Sequence, residues 1–377
     1  MRSQLQLTVS LLSNIEGIMR IKDRWDSFIS KQTESPFLLT SFINQWLDHN
    51  IEELKPFFMV FLVQDEIVGI APLGIRDFGF RYCRLLLGKD WQPELIFDSH
   101  YKEVCFKKTF DVLFGKMNCQ FIDLFIPVGH PDLQVLIQIC EELGIHHSVS
   151  PETGRAILPV NCSWWQFIQK KRKLRREIER TERRLKEIGQ LRIRWFEKTA
   201  ENELFKSILA VENASWKESY RSRIGLKADP VLSFLFYGCL QTSLTVSEFE
   251  WGIALLELNE KPIAYSLFVN HRGHAYVCKT SFDDRYRRQG AGIYINHMVV
   301  HELLSRNVSV IDFMTDLPFS HKWASEVTQV KRFKLWQRGV APFLFRNVLS
   351  SRVAQIAIND LGKISGFINL LINQVFK

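Results

Sequence analysis

The sequence has little of what marks exported, zinc-binding or membrane-spanning proteins. Its seven cysteines are odd in number and widely spaced, without a Cys-x-x-Cys pair, so neither a disulfide framework nor a zinc site is indicated. No apolar run approaches the roughly 18 to 20 residues needed to span a bilayer, and the first 17 residues lack the apolar core and cleavage site of a signal peptide. We therefore expect a cytoplasmic protein in a reducing compartment, with peripheral attachment to the inner membrane left open.

What is present is the composition of an ordinary packed protein, with 46% hydrophobic and 24% charged residues. At roughly 150 residues per domain, a chain of 377 residues predicts two domains. Apolar runs typical of strands lie at 57–63, 67–75 and 121–127, and a helical periodicity follows at 133–145. Because strands and helices alternate, the sequence predicts the α/β class.

A second pair of apolar runs, 252–258 and 263–269, repeats the pattern of the first pair 195 residues further along the chain. The shift places Asp65 on Glu260, in the turn that joins the two runs of each pair. A third predicted strand follows at 274–280. We interpret this pattern as a weak internal repeat of two similarly built halves; a coincidence between two buried hairpins is the alternative.

Almost all of the excess positive charge lies in one segment. Residues 170–186 hold ten Lys or Arg and three Glu, which accounts for seven of the chain's eight excess charges. Apolar residues recur there at helical spacing and predict an amphipathic helix that ends at Gly189; the stripe consists of Phe167, Leu174, Ile178, Thr181, Leu185 and Ile188. The charged side is either a solvated face or a landing site for tRNA or anionic lipid. Without interleaved aromatic residues, sequence-specific DNA binding is not expected.

The stretch 274–304 contains, in order, a strand, a glycine-containing turn and a long helix that begins near Ile293. The turn consists of Arg287, Arg288, Gln289, Gly290, Ala291 and Gly292. Glycines let the main chain approach a ligand closely, and the free N–H groups of a helix start, with two guanidinium groups beside them, favour a pyrophosphate. The pattern is neither the dinucleotide G-x-G-x-x-G nor a P-loop. A plain glycine-containing helix start is the alternative interpretation.

The order R-x-x-G-x-G between a strand and a helix resembles the acyl-CoA loop of the GNAT acyltransferase superfamily. Other segments resemble its bacterial CelD-like branch, which is known from cellulose and exopolysaccharide operons and hence from polysaccharide biosynthesis. Those segments are DRWDSF (23–28), PFLLTSFINQW (36–46), IVGIAPLGI (67–75), RKLRREIERTERRL (172–185), SWKESY (215–220), KTSFDDRYRRQGAG (279–292) and IDFMTD (311–316). The resemblance extends to about residue 340. It implies a FemAB-like fold of two tandem GNAT-like lobes, each a mixed central sheet flanked by helices, joined by the long basic helix.

The resemblance also implies a division of the chain. It assigns 1–160 to an N-terminal GNAT-like lobe without a CoA loop, 161–190 to a basic helical linker and 191–345 to a C-terminal catalytic GNAT lobe. In 346–377 the spacing of apolar residues predicts a C-terminal amphipathic helix that packs on the body, on a partner or on a membrane surface. The N-terminal lobe is expected to form a wall of the acceptor groove. Asp98 and His100 are its candidate contacts, or else ordinary turn-forming residues.

The implied reaction moves an acyl group, acetyl in the simplest case, from acyl-CoA to an amine or hydroxyl of a small or saccharide acceptor by direct attack. By this resemblance Arg287, Arg288, Gln289, Gly290, Ala291 and Gly292 bind the pyrophosphate of acyl-CoA. The strand at Val277, Cys278 and Lys279 offers main-chain N–H groups to the thioester carbonyl. No metal is expected. The one pair at metal-ligand spacing, His297 and His301, lacks the Glu of H-E-x-x-H, and we place it on a helix surface.

The candidate catalytic residues are Asp283, Lys279, Asp312 and Lys322. Asp283 is expected to act as a base or acceptor anchor, or only to cap a turn. Asp312 faces the acceptor or closes its strand, and Lys279 orients the substrate or pairs with an acid. His321 and Lys322 stand where relatives have a Tyr-Lys pair, and this departure leaves the acceptor pocket open.

Two other functions remain open at this point. One is an aminoacyl-tRNA-dependent transferase of the Fem type, in which the basic helix contacts the tRNA backbone. The other is a scaffold without catalysis that binds a polyanion or an anionic membrane through its basic and C-terminal helices. Salt dependence separates the first from acyl-CoA binding, since a ligand with many phosphates loses affinity steeply as salt increases.

Overall fold

The computed structural model describes residues 6–49, 54–77, 81–87, 94–127, 132–197, 202–218 and 228–336. The predicted C-terminal helix at 346–377 lies outside these residues, as does the end of the predicted C-terminal lobe. Within the described ranges, thirteen strands form one mixed sheet with helices on both faces. The predicted α/β class is therefore confirmed.

The strands are, in chain order, β1 (Leu7–Leu12), β2 (Lys55–Val63), β3 (Glu66–Asp77), β4 (Arg81–Leu85), β5 (Ile96–Phe97), β6 (Cys119–Pro127), β7 (His146–Pro159), β8 (Leu191–Glu197), β9 (Phe249–Leu258), β10 (Lys261–His271), β11 (His274–Phe282), β12 (Val310–Asp312) and β13 (Glu326–Trp336). Across the sheet their order is β1-β2-β3-β4-β6-β13-β7-β12-β11-β10-β9-β8, and β5 pairs with β3.

The helices are α1 (Ile15–Met19), α2 (Lys22–Gln32), α3 (Thr40–His49), α4 (Lys102–Phe110), α5 (Asp132–Leu143), α6 (Trp164–Lys170), α7 (Arg172–Ile188), α8 (Asn202–Asn213), α9 (Ala228–Thr245) and α10 (Ala291–Ser305). One apolar cluster holds α1, α2, α3, α8 and α9, from both halves of the chain, against one face of the sheet, which we call the shared face. On the opposite face, α4 and α5 cover the N-terminal half, and α6, α7 and α10 cover the C-terminal half. None of the described helices is long and apolar enough to cross a membrane.

The two halves repeat the same succession of strands. β1-β2-β3-β4 and β8-β9-β10-β11 are antiparallel ladders, and each is followed by one parallel neighbour, β6 or β12. In the first hairpin turn Gln64 and Asp65 have φ of 50° and 64°, and in the second Asn259 and Glu260 have the same two values. Both hairpins also carry a bulge at the equivalent step of the ladder. The internal repeat predicted from the hairpins is therefore confirmed.

These turns provide a matched stability test. A non-glycine residue in the left-handed region costs about 1 kcal/mol, and two-residue hairpin turns of this kind favour Asn-Gly. We expect Glu260→Gly to raise the free energy of unfolding by about 0.5–1 kcal/mol, and Asp65→Gly to act in the same direction. Urea denaturation measures both. Lys261→Gly, in the extended strand beside the turn, is the control and should lower the midpoint; a lower midpoint for Glu260→Gly would contradict the turn assignment.

The last strand of each half lies in the sheet of the other half. β7, which ends the N-terminal half, pairs with β12 of the C-terminal half. β13, which ends the C-terminal half, pairs with β6 of the N-terminal half, and β7 and β13 pair with each other. The two lobes are thus joined through a continuous ladder at the centre of the sheet.

This strand exchange brings two equivalent ion pairs to the centre of the shared face. Asp123 on β6 pairs with Arg332 on β13 at 2.5 Å, and Asp312 on β12 pairs with Arg155 on β7 at 3.1 Å. Both carboxylates are buried, each 1% exposed. The residue directly opposite the Asp is Lys334 in the first pair and Ile157 in the second, and in both pairs the Arg precedes that residue by two positions. Each ion pair therefore links a parallel strand of one lobe to the exchanged strand of the other.

The basic segment is two helices rather than one. α6 and α7 are separated at Lys171, whose ammonium group donates hydrogen bonds to the carbonyls of Lys322, Trp323 and Ala324 at 2.7, 3.2 and 3.0 Å. The predicted apolar stripe is confirmed in its central positions, which are buried: Leu174, Ile178, Thr181 and Leu185. Ile188, at the end of the stripe, is 44% exposed. The helix is thus fixed to the C-terminal half by its apolar side and by Lys171.

Candidate functional site

A gap opens between two neighbouring strands of the C-terminal half. β11 and β12 pair over only three residues and part beyond Tyr276 and Asp312. The carbonyl of Gly273 accepts the N–H of Ser309, so the carbonyl of Gly273 faces β12. Main-chain groups alternate in direction from residue to residue along a strand, so those of Val277, four residues later, face the β12 side too. Because the ladder has already ended there, the N–H and C=O of Val277 face the gap.

β11 carries a bulge at the same place. Leu267 of β10 is opposite Lys279, and Phe268 is opposite Val277, so Cys278 is the extra residue. A bulge bends its strand and changes the direction of nearby main-chain groups. The predicted set Val277, Cys278 and Lys279 therefore lies where β11 leaves β12.

The loop before α10 has unpaired main-chain donors. The N–H groups of Arg288, Gln289, Ala291 and Gly292 have no acceptor among the residues that the structure describes. Two of them open a helix of fifteen residues, whose first turn favours negative charge. The exposed side chain of Arg288 makes no ion pair within the described ranges, whereas Arg287 is held by Asp284 at 2.6 Å. These groups fit a pyrophosphate.

The two glycines of this loop also have a packing role. α10 begins at Ala291, two residues earlier than the sequence predicts. Gly290 has φ of +88°, and a Cβ there would lie 2.7 Å from Oγ1 of Thr181 on α7; a Cβ on Gly292 would lie 2.7 Å from the ring of Phe282. The sequence predicts glycines that admit a ligand, but the space beside them is filled by protein. The loop thus rests directly on the basic helix.

Asp283 lies at the start of the turn that leads to this loop. Its buried carboxylate accepts the N–H of Arg285 at 3.0 Å and pairs with the guanidinium of the same residue at 2.6 Å. Burial raises the pKa of Asp283, but the hydrogen bonds from Arg285 outweigh it and keep the pKa below its ordinary value. This geometry is that of the capping role, one of the two roles predicted for Asp283. The role as a base stays a prediction.

Lys279 belongs to a buried charge cluster between β11 and α8. Its ammonium lies 3.2 Å from Glu212, which is fully buried and accepts the Tyr265 hydroxyl at 2.8 Å. Burial raises the pKa of Glu212, but the Lys279 and Lys217 ammonium groups and two hydroxyl donors lower it to about 2. Lys217 also donates to the carbonyl of Thr280 at 2.6 Å. The cluster holds β11 in place at the bulge, and sequence reasoning missed Glu212 and Lys217.

Asp312 lies at the end of β12, where the gap begins. One carboxylate oxygen accepts the N–H of Met314 at 2.6 Å, and the other lies 3.1 Å from the guanidinium of Arg155. Burial and the charge of Asp312 raise the pKa of the Tyr276 phenol and of the Cys278 thiol, so both groups lie within its field. This geometry is that of a residue that closes its strand, one of the two roles predicted for Asp312; its role toward the acceptor stays a prediction. Arg155 was not predicted.

Lys322 and His321 lie away from this gap. Lys322 pairs with Glu177 on α7 at 2.6 Å, and His321 pairs with Asp316. α7 covers the face opposite the shared face, whereas Asp312 points to the shared face, because its neighbours along β12 point the other way. The structure therefore brings Lys279 and Asp312 to β11 and β12 but leaves Lys322 on the side of the basic helix.

The remaining polar candidates have local partners. Asp98 accepts the N–H of His100 at 2.9 Å, which is the geometry of a turn-forming residue. His297 packs against Trp164, with 4.8 Å between ring centroids, and burial lowers its pKa to about 4. His301 is exposed, so only this member of the pair lies on a helix surface as predicted. Among the described residues no three His, Cys, Asp or Glu are grouped to hold a metal.

The sheet splits beside a bulge, and a helix start with unpaired main-chain donors lies next to the split. The described part of the chain has the fold of tandem GNAT proteins. Residues 172–322 match the family profile described as an acetyltransferase (GNAT) domain. The match includes α7, the gap, the loop and Lys322. No curated protein matches the chain by sequence.

Solved structures share the fold over most of the chain. FemX has a TM-score of 0.58 at 9% identity, over 87% of this chain and 98% of its own. The C-terminal domain of a putative lysylphosphatidylglycerol synthetase from Agrobacterium fabrum has a TM-score of 0.54 at 11% identity, over 88% and 96%. A tandem GNAT protein from the clavulanic acid biosynthesis pathway has a TM-score of 0.50 at 10% identity, over 89% and 100%. At these identities the likeness concerns the fold alone.

Proposed function

We propose that this protein transfers an acyl group from acyl-CoA to an amine or hydroxyl of a small or saccharide acceptor by direct attack. The observation that carries the proposal is the set of unpaired N–H groups at the start of α10, with the unpaired Arg288 beside them and the gap at Val277 next to them. A coenzyme pyrophosphate fits the first and a thioester carbonyl fits the second. Acetyl-CoA is the donor to test first.

The residues around the gap take distinct roles in this proposal. The N–H of Val277 donates to the thioester carbonyl as negative charge develops on it; one such donor contributes about 2.7–4 kcal/mol in known enzymes. Asp312, held by Arg155, orients the acceptor or takes its proton. Lys279 and Glu212 keep the bulge in position. Asp283 and Lys322 support the flanking turns through Arg285 and Glu177.

The proposal gives the two lobes different roles. Residues 191–345 form the catalytic lobe, since the gap and the loop lie in it, and 1–160 form the acceptor wall. The basic helices within 161–190 lie against the catalytic lobe, in contact with the loop through Thr181 and Gly290. The proposal also places this protein in the CelD-like branch of the GNAT superfamily, with a role in polysaccharide biosynthesis.

A second candidate donor, aminoacyl-tRNA, is favoured by the outer face of α7. Three of its acids are engaged by Arg175, Lys186 and Lys322. Five cations on the outer face make no ion pair with any other described residue: Arg172, Lys173, Arg176, Arg180 and Arg183. They extend over about 17 Å of helix, which is longer than a pyrophosphate. An extended phosphate backbone fits such a face.

Titration calorimetry at 50 and 200 mM salt tests both donors. We expect acetyl-CoA to bind with a shallow salt dependence. The triple variant Arg172→Glu/Lys173→Glu/Arg176→Glu should bind it within about twofold of wild type, because these residues lie at the start of α7, more than one turn before Thr181, which contacts the loop. If aminoacyl-tRNA is the donor, its affinity falls at least about 10-fold between the two salt concentrations and is lost in the triple variant. A chain that binds neither ligand is a scaffold, and the transferase proposal is then wrong.

A further inference from the structure

The two equivalent ion pairs at the centre of the sheet have different surroundings. In the C-terminal copy, the residues directly opposite Asp312 are Tyr276 on β11 and Ile157 on β7. Neither side chain carries a charge at neutral pH, since burial raises the pKa of the Tyr276 phenol. The two positions directly opposite this acid are therefore neutral, next to the gap where acyl transfer is proposed.

In the N-terminal copy both of these positions are cationic. Arg84 on β4 and Lys334 on β13 lie directly opposite Asp123, which also pairs with Arg332. The two positions opposite the acid thus hold Tyr276 and Ile157 in the C-terminal copy, but Arg84 and Lys334 in the N-terminal copy.

Lys334 is a half-buried cation without a close protein anion, although the carboxylates of Asp123 and Glu152 partly offset the lowering of its pKa. Its neighbours Phe333 and Leu335 belong to the cluster on the opposite face, so Lys334 points to the shared face. It makes no hydrogen bond or ion pair with any other residue that the structure describes. Burial and the Arg332 guanidinium lower the pKa of Lys334. Burying an ammonium group without a partner is unfavourable, and an anionic ligand would remove that cost.

A polar strip joins this cluster to the proposed reaction centre. Along the exchanged strands β7 and β13, the side chains that point to the shared face between the two clusters are Ser150, Glu152, Thr328 and Val330, and all of them are partly exposed. Thr328 is opposite Arg155, and it lies six residues, or about 20 Å, from Lys334. The strip therefore runs from the Arg155–Asp312 pair to Lys334 over about 20 Å.

We propose that this strip is the acceptor site and that Lys334, with Arg84 and Arg332, binds an anionic group of the acceptor, a phosphoryl or carboxylate group. The inference rests on the proposed acyl transfer, because it takes the Asp312 end as the reacting end. The acceptor is then an extended molecule, with its amine or hydroxyl about 20 Å from its anionic group. A small neutral sugar does not meet this description, whereas a phosphorylated or nucleotide-linked saccharide does.

The test compares two lysines on one strand. Lys331 and Lys334 lie on opposite faces of β13, so Lys331→Met is the matched control for Lys334→Met. Ligand-observed NMR follows the line widths of inorganic phosphate (³¹P) and of acetate (¹³C) with saturating CoA present, so that the loop before α10 is occupied. We expect saturable broadening of at least one probe by wild type and by Lys331→Met, and at least about 10-fold weaker binding by Lys334→Met, as for loss of a hydrogen bond to a charged group.

Each outcome decides a separate question. Broadening of phosphate alone identifies a phosphoryl acceptor, and broadening of acetate alone a carboxylate. Equal binding by Lys331→Met and Lys334→Met, or no binding by wild type, overturns the anion site. Circular dichroism melting curves verify that both variants fold. Binding of CoA is measured beforehand by calorimetry: its absence refutes the proposed donor, while the comparison of the two lysines still decides the anion site.

Discussion

Arg288→Glu should weaken acetyl-CoA binding by about 30- to 1000-fold without changing the melting temperature. Hydrogen bonds to charged groups contribute about 1.5–3 kcal/mol, and the new carboxylate would also repel the pyrophosphate. Arg288 is exposed and makes no ion pair within the described part of the chain, so its loss leaves no buried partner behind. Calorimetry at low salt measures the affinity, since screening reduces the effect at high salt.

The control for this variant is Arg176→Glu on the outer face of α7. It makes the same change of charge on an exposed residue of the basic helix that packs on this lobe, but its helical position faces away from the loop. We expect acetyl-CoA to bind Arg176→Glu within about twofold of wild type. Equal losses in both variants would show that the effect is one of net charge, and unchanged binding in Arg288→Glu would move the pyrophosphate away from this loop.

Arg155→Met should lower the free energy of unfolding by about 3–5 kcal/mol, because it removes the guanidinium that pairs with a buried carboxylate. Asp312 is 1% exposed, and it also accepts a hydrogen bond from the N–H of Met314. Urea denaturation measures the loss. The double variant Arg155→Met/Asp312→Leu should recover most of it, since replacing both members of a buried ion pair by apolar residues is often neutral.

The equivalent ion pair of the N-terminal lobe offers an internal comparison. Arg332→Met removes the partner of Asp123, but Lys334 and Arg84 lie directly opposite that carboxylate and still neutralise part of its charge. We therefore expect a smaller destabilisation than for Arg155→Met. A larger loss for Arg332→Met than for Arg155→Met would show that these two cations do not compensate Asp123.

Local patterns predicted much of the fold. The hairpins, their repeat and the buried stripe of α7 were readable because apolar spacing reports which side of an element is buried. The exchange of β7 and β13 was not predicted, since pairing between strands far apart in sequence leaves no periodic signal. The break at Lys171 was also missed, because its hydrogen bonds to the carbonyls of Lys322, Trp323 and Ala324 are contacts between distant segments.

The site was predicted in part, for the same reason. The loop and the bulged strand form a contiguous stretch and were found, but Arg155 and Glu212 come from distant strands and helices. One signal was available: Ile-Asp occurs at 122–123 and again at 311–312, in equivalent parallel strands. This repeated Ile-Asp pair contains both buried acids, Asp123 and Asp312. The two copies are 189 residues apart, whereas the two hairpins are 195 residues apart, so one ungapped alignment of the halves does not match both features.

The crossing of β7 and β13 has a consequence for the protein as a polypeptide. A break in the chain near residue 160 would leave each fragment with the closing strand of the other, and would expose the edges of β6 and β12 as sites of aggregation. Fragments produced together would complement each other, but neither would persist alone. Although the two halves look like a duplicated module, each needs a strand from the other. Exchange of one half with that of a relative would therefore also have to replace the strand that the other half supplies.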